Sequence, residues 1–364
     1  MLGSLAETTV EGQSLTAEDQ LFILMQAAAY LTTREGGSLE ARICYERAES
    51  LCLSLNHPRL LGLALRGQFR YTLMTDKLSA AMKIAERVDS LAQEQNDATL
   101  KVGAYAALSS ALYYLGDFES ARKYATRGVQ ISRSGGVQAY AEDVQTPVVS
   151  CLCHDALSEW HLGEIASYRT AMAEAISLSK ELNDMNALAM ALNWAAGLAY
   201  YQSDPAQVGR LASDLIELST RHNFAYWLAI GAIYRGWAHS ASGDTAEGVP
   251  WIEQGIRDIR ATGTVLALPA HLGRKAGALH LANRTSEALE VINEAEALAE
   301  RFEQPYFCAE LHRLRGMFLA TLGADDRQIE ASFCEAIRIA REQKSISLEK
   351  RAETTYAEYR RQKA

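Results

Sequence analysis

Proline and cysteine are both scarce in this sequence, with only 6 of each among 364 residues. So few cysteines exclude a small secreted fold held together by disulfides, and we expect free thiols in a reducing compartment. A composition of 48% hydrophobic and 22% charged residues excludes a disordered or collagen-like chain. The cysteines expected to be unpaired are Cys44, Cys52, Cys151, Cys153, Cys308 and Cys334.

Long apolar runs and an excess of positive charge are also missing. No run approaches the roughly 18 apolar residues that a membrane-spanning helix requires. The first fifteen residues contain Glu7 and Glu11 but no basic residue, so they do not form a secretory signal. A net charge of −9 argues against a phosphate-binding surface spread over the whole molecule. We expect a cytoplasmic protein that binds neither a membrane nor nucleic acid directly.

What the sequence does contain is a repeat of about forty residues. In each unit a small or apolar residue is followed by a second after four positions and a third after three more, as in Ala121, Ala125 and Gly128. The first members of successive units are separated by 40, 40, 47, 40, 40, 40 and 41 residues: Ala41, Ala81, Ala121, Tyr168, Val208, Gly248, Ala288 and Ile329. Spacings of three and four residues place side chains on one face of a helix, so every unit is predicted to contain a packed helix.

The third unit indicates which kind of repeat this is. A helix carrying Tyr105 and Leu108 ends at Gly116, and Asp117 then caps a second helix that carries Ala121. This order of aromatic, small and glycine residues is similar to that of the tetratricopeptide repeat. The predicted fold is therefore all-α, a right-handed TPR-like α-solenoid of about eight helical hairpins.

The same pattern sets the expected domain boundaries. Residues 1–15 lack it and are expected to be a disordered lead-in or linker, while residues 16–343 form the solenoid. A last amphipathic helix within residues 344–364 is expected to cap the exposed end. The prolines at 58, 205 and 305 lie at or near predicted helix starts. Pro250 and Pro269 fall inside predicted helices, so we expect a kink or a later helix start at each.

The later units resemble a more specific group of proteins. The resemblance rests on Gly236-Trp237-Ala238, on Gly255-Ile256-Arg257, on the run from Ala309 to Gly316, and on matches between Phe333 and Ala352. These segments are similar to the C-terminal tetratricopeptide region of large bacterial multidomain signalling ATPases, which are often fused to cyclase or DNA-binding domains. The resemblance implies a sensor and partner-binding arm, with the chemistry carried by other domains.

Sequence motifs of catalysis are missing from the chain. Gly231 and Gly236 have the separation of a phosphate-binding loop, but Trp237-Ala238 follows where a lysine and a hydroxyl residue are required. No Gly-x-Ser-x-Gly elbow is present, and helical hairpins lack the strand-to-helix turn on which it depends. We expect no enzymatic activity and no cofactor.

One cluster has the residue types of a metal site. On a helix, His154 and His161 share a face, whereas Cys151 and Cys153 point in widely different directions. Four tetrahedral ligands do not easily converge from that arrangement, so no metal is expected. Glu310 is expected instead to form an interhelical salt bridge with a nearby arginine of the stack, Arg313 or Arg315.

Aromatic and polar residues recur where the tetratricopeptide register faces the inner, concave wall. These are the residue types that anchor bound peptides in interfaces. The alternative is that about half of them belong to the core, because the longer helices shift the register. The candidate groove residues are Tyr113, Tyr114, His154, Trp160, Asn193, Trp194, Tyr201, Tyr234, Trp237, Arg274, His280 and Arg313.

The function predicted from the sequence is a protein- or peptide-binding scaffold, the sensor or partner-binding arm of a bacterial signalling protein. In this hypothesis Asn193, Arg274 and Arg313 would hydrogen-bond the carbonyls or carboxylates of the bound segment. The alternative is a small-molecule sensor that controls an ATPase or a transcription partner. An open channel would favour a peptide, and a closed apolar pocket with few polar groups would favour a small effector.

Overall fold

The computed structural model describes residues 15–135 and 146–363, and within these ranges the chain is helical without a strand. Residues 1–14, most of the expected lead-in, lie outside the described residues. The described helices are α1 Ala17–Glu35, α2 Leu39–Leu55, α3 Pro58–Thr75, α4 Leu78–Glu94, α5 Ala98–Tyr114, α6 Phe118–Arg133, α7 Pro147–His161, α8 Ile165–Glu181, α9 Met185–Tyr201, α10 Pro205–His222, α11 Ala225–Ala241, α12 Thr245–Ala261, α13 Leu268–Leu281, α14 Thr285–Arg301, a short 3-10 helix Pro305–Phe307, α15 Cys308–Thr321, α16 Asp326–Glu342 and α17 Ile346–Lys363.

Consecutive helices pack against each other as antiparallel pairs, from α1 with α2 to α15 with α16. The described part of the chain thus contains eight hairpins followed by α17, which confirms the predicted all-α, TPR-like solenoid. The first member of each repeat triplet lies in the second helix of its hairpin and is buried. The one longer spacing falls between α6 and α7, where residues 136–145 lie outside the described residues.

Local signals end and begin the helices as the sequence predicts. Gly116 has a φ of 77°, the left-handed region that glycine adopts without strain, and the Asp117 carboxylate accepts a hydrogen bond from the Ser120 amide. Pro269 is the second residue of α13, so the expected later helix start is found there. Pro250 lies within α12, which continues through it.

The superhelix returns on itself, so hairpins far apart in sequence touch. The Val265 amide donates to the Met74 carbonyl at 2.8 Å, which joins the end of α3 to the segment before α13. Farther along the chain, the Arg351 guanidinium of α17 donates to the Tyr201 carbonyl at the end of α9, at 2.9 Å. These contacts close the inner channel around the side chains that line it.

All six cysteines are free, as expected from their small number. Cys44, Cys52, Cys151 and Cys153 are buried, and burial raises the pKa of the Cys151 thiol to about 12. None of the described helices is long and apolar enough to cross a membrane.

Candidate functional site

A central pocket lies inside the superhelix, between the second and the sixth hairpin, and is our candidate site. The first helices of five successive hairpins, α3, α5, α7, α9 and α11, contribute its walls, together with Tyr45 of α2 and Leu266 before α13. These helices meet there because each repeat turns the chain slightly around the same inner axis. The cavity measures about 130 Å³. An engineered apolar cavity of about 150 Å³ in another protein holds one benzene, so this space suits a group of that size.

Four of the twelve candidate groove residues line this central pocket: Tyr114, His154, Asn193 and Trp194. Trp194 is partly buried. Its indole lies 5.6 to 6.0 Å, between ring centres, from Tyr113, Tyr114 and His154. His154 Nδ1 bonds to the Ser150 carbonyl at 2.8 Å, and burial lowers the pKa of His154 to about 4. The imidazole is therefore neutral at physiological pH.

Most of the other candidates pack into an aromatic cluster that fills the channel beyond the pocket. Tyr306 and Phe307 enter this cluster from the short 3-10 helix. The centre of the Tyr306 ring lies 5.4 Å from the ring centre of Tyr113 and 5.1 Å from that of Tyr114. The ring centres of Phe307 and Tyr201 are 6.0 Å apart. The buried members Tyr113, Trp160, Tyr201, Tyr234 and Trp237 contact other side chains here and do not line the central pocket.

Arg274 lies in the same cluster and does not face an open groove. Its guanidinium carbon is 4.8 Å from the Tyr200 ring centre and 4.7 Å from the Tyr234 ring centre. The Tyr234 hydroxyl also accepts a hydrogen bond from Arg274 Nη2 at 3.2 Å. No carboxylate of the described chain forms an ion pair with it, so aromatic faces supply its main electrostatic partners. Its predicted hydrogen bond to a ligand is therefore replaced by contacts inside the protein.

Arg313 and His280 lie at the C-terminal end of the solenoid, away from the pocket. Arg313 pairs with Glu310 of its own helix at 2.7 Å, and Arg351 of α17 reaches the same carboxylate at 3.1 Å. Arg313 is thus one of the two predicted partners of Glu310, but it lies on the same helix, and the interhelical partner is Arg351 of α17. Burial alone would raise the pKa of Glu310, but the two guanidinium groups lower it to about 2. His280 is half-buried against Phe318, 4.9 Å away between ring centres.

Sequence reasoning missed two arginines that line the pocket. Arg66 and Arg70 project into it from α3, and neither Asp nor Glu occurs among its described lining residues. A signal for them existed: moved back forty residues, the inner-wall positions of Ala106, Ser110 and Tyr114 on α5 become those of Arg66, Arg70 and Met74 on α3. No comparable pattern in the sequence predicts that Tyr306 enters the channel beside Tyr113 and Tyr114.

The suspected metal ligands stay separate within the described chain. His161 Nδ1 bonds to the Ser345 hydroxyl, and Cys151 and Cys153 are buried thiols. One group of described ligand atoms does lie within 4.8 Å of one another, on His239, Asp244 and Glu247 at the surface between α11 and α12. There, Asp244 also caps α12 by accepting the Glu247 amide.

Comparison with known proteins agrees with this architecture. The family model of anaphase-promoting complex subunit 5 matches residues 147–201 and 297–354. These two segments meet in the folded chain, where α7 contacts α17. The chain is a TPR-like helical repeat protein.

An uncharacterized protein of Rhizobium meliloti (strain 1021) is 28% identical over 197 residues, which is 54% of this chain and 19% of that protein. The chain thus spans about a fifth of the length of this relative.

Two solved structures share the fold over nearly the whole chain. One is a Rap protein complexed with competence and sporulation factor, with a TM-score of 0.58, 10% identity, and coverage of 94% of this chain and 99% of that one. The other is NprR in complex with its cognate peptide NprX, with a TM-score of 0.58, 12% identity, and coverage of 95% and 98%. The repeat protein described here therefore has a fold similar to that of peptide-binding quorum-sensing regulators.

Proposed function

We propose that this chain is a binding module without catalytic activity and that its central pocket receives the end of a short peptide. The observation that carries this proposal is the construction of the pocket from five successive inner helices. Solenoids of helical repeats bind extended segments along such inner surfaces. Because Tyr306 closes the channel beyond Tyr114, a peptide would insert only its end and leave the rest outside.

The volume of the pocket decides how much of a peptide would be held inside. About 130 Å³ is enough for one side chain or terminal residue, and far too little for a folded segment. Trp194, Trp227 and Phe69 would supply most of the apolar contact, since large aromatic side chains dominate binding energy in interfaces. The similarity in fold to Rap and NprR supports a peptide ligand over other classes.

The side chains around the pocket support a role in binding and not in catalysis. Acid–base catalysis needs a titrating group near the operating pH, with a partner that positions it. His154 has a pKa lowered to about 4 by burial, and its Nδ1 is held by a backbone carbonyl. Among the described lining residues, no carboxylate or thiol stands beside it to complete a pair.

In this proposal the chain is the sensing or partner-binding arm of a longer cytoplasmic signalling protein of bacteria. The resemblance to the repeat region of signalling ATPases supports it, as does the bacterial relative of which this chain spans only a fifth. Free cysteines are in keeping with a reducing compartment.

A small-molecule effector is the second candidate, and one observation favours it. The cavity is partly enclosed, mostly apolar and furnished with few polar groups, which is the usual form of a small-molecule site. In that case the ligand would fill the cavity completely and extend little beyond it.

Filling the pocket tests the proposal. A synthetic library of random heptapeptides is passed over the wild-type chain and over Ala107→Leu, whose added carbons would occupy the cavity. Ala173→Leu on the exposed face of α8 is the matched control. We expect peptides enriched on the wild type and on the control to bind Ala107→Leu at least tenfold more weakly. No enrichment, or equal binding to all three folded proteins, would contradict peptide binding in this pocket.

A further inference from the structure

We propose that the central pocket recognises an apolar group of about the size of benzene that donates a hydrogen bond to His154 Nε2. This inference rests on the proposed function, because it names the chemistry of a ligand in the same pocket. The hydroxyl of a peptide side chain and that of a small free molecule share this chemistry, and the experiment below distinguishes these two sources.

A hydrogen bond to the backbone determines which nitrogen of His154 carries the hydrogen. Nδ1 lies 2.8 Å from the carbonyl oxygen of Ser150, one turn earlier on α7. A carbonyl oxygen only accepts hydrogen bonds, so the hydrogen is on Nδ1 and Nε2 keeps its lone pair. Burial lowers the pKa of His154 to about 4, so the ring binds no second proton near neutral pH. Nε2 is therefore an acceptor in the folded protein.

This acceptor has no hydrogen-bond partner among the residues that the structure describes. His154 is only 2% exposed, and its Nε2 is buried without a hydrogen bond. Buried polar atoms are nearly always paired, because an acceptor that has lost water and gained no donor costs free energy. A ligand that donates to Nε2 would recover this free energy. An anion or an ether oxygen would instead place its own lone pairs against that of Nε2.

The other buried histidine of α7 provides a comparison within the same helix. His161 Nδ1 bonds to the Ser345 hydroxyl at 2.8 Å, and its Nε2 lies 3.5 Å from the Tyr113 hydroxyl. Both of its nitrogens are thus paired inside the protein, and His161 does not line the central pocket. Of these two histidines, the one that lines the pocket is the one with an unpaired nitrogen.

The surroundings of His154 indicate what carries the donor. The ring centres of His154 and Trp194 are 5.9 Å apart, and Phe69 and Trp227 add further apolar walls to the pocket. The cavity of about 130 Å³ has room for one ring of about the size of benzene. A matching ligand therefore combines an apolar body with a donor at its edge, as phenol and the side chain of tyrosine do.

Phenol and toluene are the matched pair of probes, because a hydroxyl and a methyl group occupy nearly the same volume. Toluene is the more apolar molecule, so an apolar cavity alone would bind it more tightly. We expect the wild-type chain to bind phenol at least tenfold more tightly than toluene in calorimetric titrations, because only phenol donates to Nε2. Equal affinities, or tighter binding of toluene, would overturn the inference.

Substitution of His154 shows whether its ring nitrogen carries the preference. His154→Phe keeps an aromatic ring but removes the acceptor, so the preference for phenol should disappear while toluene still binds. His154→Leu takes its place if that variant does not fold. His57→Phe, at an exposed histidine before α3, is the matched control and should keep the preference. A preference for phenol that survives the loss of His154 would contradict the assignment.

Nitrogen-15 NMR of the histidine rings tests the same contact in the wild-type chain. In the free protein, the Nε2 resonance of His154 should be that of an unprotonated nitrogen. Phenol should shift this resonance upfield, as a hydrogen bond to the lone pair does, and toluene should leave it in place. An Nε2 that already carries the hydrogen, or a resonance that bound phenol does not move, would refute the proposal.

Two further probes distinguish the source of the donor. N-acetyl-tyrosinamide presents the phenol group as a peptide does, and its O-methyl ether lacks the donor. Affinity that rises from phenol to N-acetyl-tyrosinamide and falls at least tenfold in the ether would support a peptide side chain. Phenol that binds more tightly than N-acetyl-tyrosinamide would support a small free molecule.

The remaining outcomes separate this inference from the proposed function. If toluene and phenol bind equally and Ala107→Leu blocks both, the pocket binds ligands but the role of Nε2 is wrong. If phenol does not bind while the library yields peptides that depend on Ala107, the inference fails and the proposed function stands. If phenol does not bind and no peptide is enriched, both proposals fail.

Discussion

His161 Nδ1 and the Ser345 hydroxyl lie 2.8 Å apart although 184 residues separate them in sequence. Both residues are fully buried, and the His161 ring also stacks on Phe118 with 3.7 Å between ring centres. The hydrogen bond joins the end of α7 to the turn before α17. It is one of the contacts by which the C-terminal helix closes the superhelix.

Removing this hydrogen bond should destabilise the fold. We expect Ser345→Ala to lower the free energy of unfolding by about 1–3 kcal/mol, because the buried His161 ring nitrogen and the Leu348 amide both lose their hydrogen-bond partner. Urea titration followed by circular dichroism measures the change. Ser54→Ala removes an exposed hydroxyl that bonds only within its own helix, so it should change stability by less than about 0.5 kcal/mol. Equal effects of the two substitutions would mean that the His161 contact contributes little.

The buried histidines predict that the protein is sensitive to acid. Burial lowers the pKa of His161 to about 3, whereas the unfolded value is about 6.5. Between these values the unfolded chain binds more protons, so stability is complete above pH 6.5 and falls as the pH decreases. From pH 8 to pH 5, His161 should cost about 2 kcal/mol of stability. His161→Gln should reduce the pH dependence by about that amount, while His57→Gln, at an exposed position, is the control. An unchanged pH dependence in His161→Gln would contradict the prediction.

Two glycines within helices should respond oppositely to alanine. A Cβ at Gly236 of α11 would lie 2.5 Å from the Gly248 carbonyl oxygen of α12, so Gly236→Ala must separate the two helices. We expect a loss of about 1–3 kcal/mol. A Cβ at Gly277 of α13 would meet nothing within 4 Å, so Gly277→Ala should stabilise by up to about 1 kcal/mol. Thermal unfolding of both variants gives the comparison, and a stabilised Gly236→Ala would show that the contact is not as tight as described.

The two central tryptophans should have different roles. Trp237 packs edge-on against Tyr200, 4.9 Å away, inside the aromatic cluster, so Trp237→Ala should cost about 3–5 kcal/mol of stability. Trp194 lines the pocket and is partly exposed, so Trp194→Ala should cost less stability but weaken ligand binding by about 2 kcal/mol. The readouts are the melting temperature and the affinity for a peptide selected from the library. If Trp194→Ala left the affinity unchanged while unfolding the protein, Trp194 would belong to the core.

The helices, their pairing and their caps could be predicted from the sequence because each depends on neighbouring residues. The triplet Ala121, Ala125 and Gly128 lies buried on α6, and Asp117 caps that helix as predicted. These features are set by residues within one or two repeats, so local spacing contains the necessary information.

The candidate site could be predicted only in part. Tyr114, His154, Asn193 and Trp194 face the pocket, and the same register would have selected Arg66 and Arg70 on α3. Tyr113 and Tyr201 share that register but are covered, because Tyr306 and Phe307 occupy the channel beside them. Which of the inner residues stay accessible is decided by a segment about one hundred to two hundred residues away.

By itself, therefore, the sequence determined a TPR-like stack of eight hairpins with a closing helix, since hydrophobic period and capping residues act within each repeat. Only the tertiary structure decided where the stack returns on itself and which part of its inner wall remains open. Small rotations between neighbouring hairpins accumulate over the whole array, and no single repeat records their sum. That sum brings Arg351 to the Tyr201 carbonyl and Tyr306 to Tyr114, which leaves a pocket with Arg66 and Arg70 at one end of the channel.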